Sequence, residues 1–383
     1  MNLKHICFVA EGYPTADDPT FTFVRQLIVS IADQGIKCSV IVPQSITNSL
    51  VRGKGKRPFH WVDTTKGNSK IDIYQPRYMS LSNLSIKNMS LTHFLWSRAV
   101  INVFQKEGLN PDVVYGHFWH SGLVAAIIGE KQRLPVFVAS GESRITVREL
   151  YREKILSQYL PKIKGVICVS TKNMFESIDL NLANQSKIAV IPNAIDGNRF
   201  YFENKLDVRK KLGFNEEDFI VAFTGTFNNR KGALRLAEAI KKVGNVKSIF
   251  IGSGEQTPEI DGILFCGKLP HDQIVHYLNA ADVFVLPTLA EGCSNAIIEA
   301  MACGLPIISS DLPFNDDILD AENSIRVNSL DVESIAEAIR FLREHPAKRK
   351  SMSKSSLAKA SELNIETRAK RVIQYIEEQS GVR

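Results

Sequence analysis

The chain has 383 residues, 44% of them hydrophobic and 23% charged, with a formal net charge of +6. That length and balance suit a globular protein of two ordinary domains and exclude a fibrous or disordered chain. No apolar run approaches the roughly 20 residues that span a bilayer, and Cys7, Cys38, Cys168, Cys266, Cys293 and Cys303 form neither a C-x-x-C pair nor a zinc-like spacing with histidine. The cysteines therefore read as small core residues of a reducing, cytoplasmic compartment.

In chain order, "HICFVA" (5–10), "KCSVIVP" (37–43), "DVVYGH" (112–117), "PVFVAS" (135–140) and "GVICVS" (165–170) read as buried parallel strands. Helical patterns at 21–34 and 90–107 lie between them. The opening "MNLKHICFVAEGYP" is too short in its apolar part for a signal peptide and reads as a first strand. Residues 1–190 hold 23 Lys and Arg against 14 Asp and Glu, a balance of +9, whereas residues 191–383 hold 24 against 27, or −3. The densest basic cluster is "VRGKGKRPFHW", where Arg52, Lys54, Lys56 and Arg57 sit beside Phe59 and Trp61. The residues leave two readings open, a solvated loop or a patch that rests on an anionic membrane or grips an acidic acceptor. Nucleic acid is not expected, because no recognition motif accompanies the patch.

The pattern breaks near residue 190 at "VIPNAIDGNRFYFENKLDVRKKLG", which suits a linker leading into a short helix. A second alternating series follows: "FIVAFTG" (219–225), "KSIFIGSG" (247–254), "ILFCG" (263–267), "VFVLP" (283–287) and "PIISS" (306–310). The expected fold class is α/β, two Rossmann-like doubly wound domains facing a central cleft lined by strand C-termini and helix N-termini. The expected boundaries are 1–188 and 189–364, with an amphipathic helix at about 365–383 returning to the first domain.

Within the second series, "EGCSNAIIEAMACG" reads as loop, helix and stop. Ser294 suits an N-cap, and Gly304 sits where a helix ends in a left-handed residue. A capping box needs Glu or Gln at position 297, which is Ile297, so Glu299 does not close the helix start. What remains is a helix N-terminus with free N–H groups, one carboxylate before it (Glu291) and one within it (Glu299). That layout suits a ligand carrying both phosphate and hydroxyl groups.

Four segments in order, "PDVVYGHFWHSG", "VIPNAID", "TGTFNNRKG" and "EGCSNAIIEAMACGLPIISS", make the chain resemble the retaining GT-B glycosyltransferases of family 4 (glycosyl transferases group 1) over nearly its full length. The pair of glutamates with seven residues between them is the most specific element. The resemblance implies a nucleotide diphosphate sugar as donor substrate, bound mainly by the second domain, with the acceptor bound by the first. Glu299 matches the acid that takes the ribose hydroxyls, against the plainer reading of a solvent-facing helix acid. Glu291 matches the acid beside the donor sugar. Lys231 matches the lysine on the diphosphate, and Arg230 stands in for an arginine that relatives carry where this chain has Thr226. Ser294 and Asn295 fall at the turn facing the diphosphate, where Cys293 and Ser294 depart from the commoner "EGFG". Lys268 and Leu269, in "FCGKLP", match the segment along the nucleobase.

In the first domain His117 matches a histidine that contacts the donor sugar or assists acceptor deprotonation, with His120 as its competitor. Gly12 belongs to the turn approaching donor and acceptor, although Asp17, Asp18 and Pro19 replace the paired glycines of relatives. Glu142 is an acceptor candidate and, with Glu291, one of the two acids available as nucleophile. No D-x-D occurs, so no metal and no cofactor are expected. The expected reaction moves a hexose to a hydroxyl of a glycan or lipid-linked oligosaccharide in surface-polysaccharide biosynthesis, in the cytoplasm and peripherally at the inner face of the membrane. A sugar-nucleotide epimerase of the same fold and a non-catalytic sugar-nucleotide binding protein are the alternatives.

Overall fold

The computed structural model describes residues 3–15, 20–47, 57–81, 85–86 and 89–381. Asp17, Asp18, Pro19, Arg52, Lys54 and Lys56 lie outside the described residues. The chain forms two compact units, one of Met1–Ile191 with Arg368–Arg383 and the other of Pro192–Thr367.

The main sheet of the first unit is built from β1 (His5–Val9), β2 (Lys37–Ile41), β3 (His60–Thr64), β4 (Lys70–Tyr74), β5 (Val113–His117), β6 (Val136–Ser140), β7 (Ile163–Cys168) and β8 (Ile188–Val190). They form one sheet in the order β8-β7-β6-β5-β1-β2-β4-β3, parallel throughout except for β3 against β4. The parallel strands are Val- and Ile-rich because both faces are covered. Cys7 and Val9 face a core built with helices α1 (Leu91–Lys106) and α2 (Trp119–Gln132), where Trp96, Val100, Trp119 and Leu123 are buried. Phe8 and Phe137 alternate to the other face, where the final helix, Ile365–Ser380, sets Tyr375 against Phe137 at 6.0 Å and donates its hydroxyl to the Lys187 carbonyl at 2.6 Å. The exceptional strand β3 shows exposed His60, Val62 and Thr64 alternating with less exposed Trp61 and Asp63, the period-two signature of an edge with one wet face.

In the second unit, β9 (Ile220–Thr224), β10 (Lys247–Ile251), β11 (Ile263–Gly267), β12 (Val283–Leu286), β13 (Ile307–Ser310) and β14 (Ser324–Val327) form an all-parallel sheet in the order β11-β10-β9-β12-β13-β14. The order reverses between β9 and β12, and the crevice at the carboxyl ends of two such strands is where open α/β sheets bind ligands. Helix α3 (Ala233–Val243) follows β9, and helix α4 (Asn295–Ala302) follows β12. Among the described residues no helix is long and apolar enough to cross a membrane.

Candidate functional site

The two loops that leave the reversal of the second sheet carry its charged motifs. After β9, Asn228 closes the turn, its side-chain oxygen accepting the Lys231 N–H at 2.9 Å and its carbonyl the Gly232 N–H at 3.0 Å. Gly232 has φ +81, and a Cβ there would stand 2.8 Å from the Pro287 carbonyl oxygen, so only glycine lets this turn close against the other loop. The Leu289 N–H donates to the Arg230 carbonyl at 2.8 Å and ties the loops together. Their side chains then meet at one carboxylate oxygen. Oε1 of Glu291 accepts from Lys231 Nζ at 2.5 Å, Arg230 Nη1 at 3.0 Å and Thr288 Oγ1 at 3.0 Å. Lys231 and Glu291 are each 13% exposed, so this is no loose surface ion pair, whereas Arg230 at 40% reaches solvent.

Helix α4 starts at Asn295 after Ser294, and Gly304 takes φ +75 beyond its end. Ser294 holds the N-cap position, yet its hydroxyl caps nothing: Ser294 Oγ and Asn295 Oδ1 are buried without a hydrogen-bond partner. Buried polar atoms in that condition cost free energy. Asn193 Nδ2 donates to the Cys293 carbonyl at 3.0 Å and steadies the loop before the helix. Glu299 is 8% exposed, which overturns the solvent-facing reading. His271 Nε2 stands 3.4 Å from Glu299 Oε1, and Arg199 Nη2 is 2.7 Å from His271 Nδ1. Lys268, exposed, and Leu269, half-buried, lie in the same loop after β11 as His271.

The first sheet reverses between β5 and β1. His117 closes β5 and is 6% exposed; burial pushes its ring down to about 3, and the Arg368 guanidinium adds to the effect. Phe118, next in sequence, has φ 73 and ψ 159, a backbone conformation that a bulky residue holds only under strain. Its ring lies 4.7 Å from His117, and Phe23 packs 5.5 Å from the same imidazole. His120 is locked elsewhere: Nδ1 pairs with the Tyr151 hydroxyl at 2.7 Å, and Trp96 and His93 pack on the ring at 4.6 and 4.7 Å. Burial, then His93, hold it down at about 3 as well.

Glu142 caps α2. Its Oε1 accepts the Trp119 N–H at 2.6 Å, and its Oε2 accepts the Gly141 N–H at 2.9 Å and the Ser140 hydroxyl at 3.2 Å. Burial nevertheless pushes its carboxyl up to about 7, against the pull of those N–H groups. Gly12 is explained by space, since a Cβ there would fall 2.2 Å from the Phe21 ring. In the basic cluster only Arg57 is described, and its guanidinium donates to the Tyr13 carbonyl at 3.2 Å and Thr15 Oγ1 at 3.4 Å. Trp61 Nε1 donates to Gln75 Oε1 at 2.8 Å, while Phe59 stays 45% exposed.

Residues 21–199 match the model of Glycosyltransferase Family 4, and residues 218–345 match that of Glycosyl transferases group 1. The chain belongs to the family 4 glycosyltransferases. It is 27% identical over 351 residues to the putative teichuronic acid biosynthesis glycosyltransferase TuaC of Bacillus subtilis, covering 87% of this chain and 88% of that protein. It is 28% identical over 256 residues to an Escherichia coli UDP-Gal:alpha-D-GlcNAc-diphosphoundecaprenol alpha-1,3-galactosyltransferase, covering 60% and 65%. The crystal structure of Anabaena HepE in complex with UDP-glucose superposes with a TM-score of 0.70 at 16% identity, covering 98% of this chain and 99% of that one. Each unit has the architecture of a GT-B domain.

In this glycosyltransferase the second unit brings Arg230, Lys231 and Glu291 together from segments about 60 positions apart. Ser294, Asn295 and Glu299 follow on the same loop and helix. In the first unit His117 ends β5, Glu142 follows the end of the neighbouring β6, and Gly12 follows β1, which pairs with β5. Arg199, His271, Asn193 and Thr288 escaped the sequence reading. The position of His271 directly after "FCGKLP" and that of Asn193 inside "VIPNAID" were the signals on offer.

Proposed function

We propose that this glycosyltransferase moves a hexose from a nucleotide diphosphate sugar to a hydroxyl of a glycan or lipid-linked oligosaccharide, retaining the anomeric configuration and using no metal ion. The observation that carries the reading is the convergence of Lys231 and Arg230 on Glu291 at the strand-order reversal. A diphosphate leaving group gains charge as its bond to the sugar breaks, and two fixed cations stabilise that state more than the ground state. Glu291, freed from them in part, holds the sugar hydroxyls and the positive charge developing at the anomeric carbon. The N–H groups of α4, with Ser294 and Asn295, take the phosphates. Glu299 takes the ribose diol, and the loop of Lys268 and Leu269 takes the base. In the first unit, the acceptor side, His117 acts as a neutral hydrogen-bonding group, because a ring so hard to protonate is a poor base.

Supporting the substrate class are the names of the relatives: teichuronic acid biosynthesis for one, a UDP-galactose donor and a diphosphoundecaprenol-linked acceptor for the other. A cytoplasmic enzyme working against the inner face of an anionic membrane fits the basic surplus of residues 1–190 and the exposure of Phe59, Val62 and Met79. Cosedimentation with anionic vesicles at low salt tests that part, with loss of binding at high salt expected.

The decisive assay supplies a panel of nucleotide diphosphate sugars with and without lipid-linked acceptor, in chelator. Release of nucleoside diphosphate only with acceptor, and a product whose anomeric coupling matches the donor, are expected. Sugar interconversion without acceptor would point to an epimerase. Donor binding without release under every condition would point to a binding protein.

A further inference from the structure

The site holds one arrangement that charge neutralisation does not explain: an arginine and a histidine lined up behind Glu299. A guanidinium has donors and no acceptor, so at 2.7 Å Arg199 Nη2 must donate to His271 Nδ1. That nitrogen then carries no proton, and the imidazole bears its single proton on Nε2. Nε2 is the atom that stands 3.4 Å from Glu299 Oε1. The Arg199 donation therefore fixes the imidazole tautomer and leaves its N–H-bearing atom beside one oxygen of the carboxylate, a contact longer than a good hydrogen bond.

Each member is held. Asp196 accepts the Asn198 N–H on its side chain at 2.9 Å and the Arg199 N–H on its carbonyl at 2.9 Å, closing the turn that presents Arg199. Phe200, 2% exposed, packs edge-on against the His271 ring at 5.2 Å. Glu299 itself rises from a helix whose Ile297, Ile298, Ala300 and Met301 are fully buried. A glutamate there has several rotatable bonds and no partner on its own helix. A vicinal diol is recognised well only when the carboxylate plane is set beforehand, because ordering it on binding would cost side-chain entropy.

We propose that Arg199 and His271 are positioning residues that fix Oε1 of Glu299 and so present its other oxygen to the ribose, making donor recognition selective for ribonucleotides. This rests on the reading of Glu299 as the ribose-binding acid. The segment just after Pro192 thereby steadies both ends of the loop and helix, Asn193 at the Cys293 carbonyl and Arg199 through His271 at Glu299.

The test measures, by calorimetry, dissociation constants of UDP, GDP and ADP, and then of the 2′- and 3′-deoxy forms of whichever binds the native protein. The native enzyme is expected to prefer the ribonucleotide by about tenfold or more, as for loss of a hydrogen bond to a charged group. His271→Asn removes the Nε2–H and should cut that preference to about twofold while leaving deoxynucleotide affinity in place. His271→Gln keeps an N–H near the Nε2 position and should restore most of it. Arg199→Met, which leaves the ring free to flip, should lose most of it too, and the donor KM should rise more than kcat falls. If native enzyme shows no preference, the ribose reading of Glu299 falls and the inference with it. If native enzyme discriminates, Glu299→Gln does not, and both His271→Asn and Arg199→Met still discriminate fully, the inference alone is overturned. Should His271→Asn fail to fold, Arg199→Met decides by the same criterion.

Discussion

At the reversal of the second sheet the side chains are charged and paired with each other, Lys231 and Arg230 with Glu291. At the reversal of the first sheet they are withdrawn from water, and burial drives them toward their neutral forms, His117 down to about 3 and Glu142 up to about 7. The contrast teaches how each place can respond to a ligand. Paired charges can be exchanged for the charges of a bound molecule at little cost in desolvation. Neutral groups packed among Phe23, Phe118 and Trp119 bind by shape and by hydrogen bonds, and they resist any ligand that would ionise them.

Breaking the charged side should have the largest effect. Lys231→Ala is expected to lower turnover by roughly 10²–10³, with the unfolding midpoint little changed. A loss below fivefold in a steady-state assay would remove Lys231 from the diphosphate. On the packed side the largest effect is on stability: Gly12→Ala forces the Phe21 ring aside and should cost about 1–3 kcal/mol in urea denaturation. A neutral result would mean that the ring yields freely.

Acidity sharpens the comparison further. His117 and His120 titrate near 3 when folded and near their ordinary 6.5 when unfolded, so between those values the unfolded chain binds more protons and stability falls as pH drops. Glu142 acts oppositely, favouring the folded state less as pH rises from 4.5 to 7. With His5 and His93 also lowered and Glu11 also raised by burial, the histidines outnumber the acids and leave a net loss toward acid of up to about 1.4 kcal/mol per pH unit for each unmatched group. Urea midpoints from pH 6.5 to 4.5 should show it, and His120→Gln should flatten the slope. An unchanged slope in that variant contradicts the burial argument. The smallest effect is expected for Phe118→Gly, where relief of about 1–3 kcal/mol of backbone strain offsets the lost ring contacts. A net cost of 3 kcal/mol or more would show that no strain is held there.

What could be read from the sequence follows from how local each feature is. The alternation of buried strands and helices exposed both doubly wound sheets, and Ser294, Gly304 and the two glutamates marked a loop and helix whose ends stand where the spacing put them. Short strands escaped: Ile188–Val190 runs only up to the start of what read as linker, and Ser324–Val327 has too few residues to show a period. The pairing of Arg199 with His271 spans 72 positions and is created by the fold, so no spacing rule reaches it. Nor does residue type reveal that the Ser294 hydroxyl lacks a partner, that Glu142 serves as a helix cap, or that Arg57 is tied to Tyr13. Those depend on where neighbouring backbone groups point.

The helix Ile365–Ser380 has a consequence for how the molecule matures. It begins within the second unit, yet Ala369, Val372 and Ile376 are fully buried in the first. During synthesis the first lobe leaves the ribosome with that apolar patch bare, and it must wait while the 176 residues from Pro192 to Thr367 are made, on the order of 10–35 s at ordinary elongation rates. The lobe translated first is sealed last, so a nascent chain stalled before residue 365 carries a sticky, unfinished surface of the kind that chaperones hold.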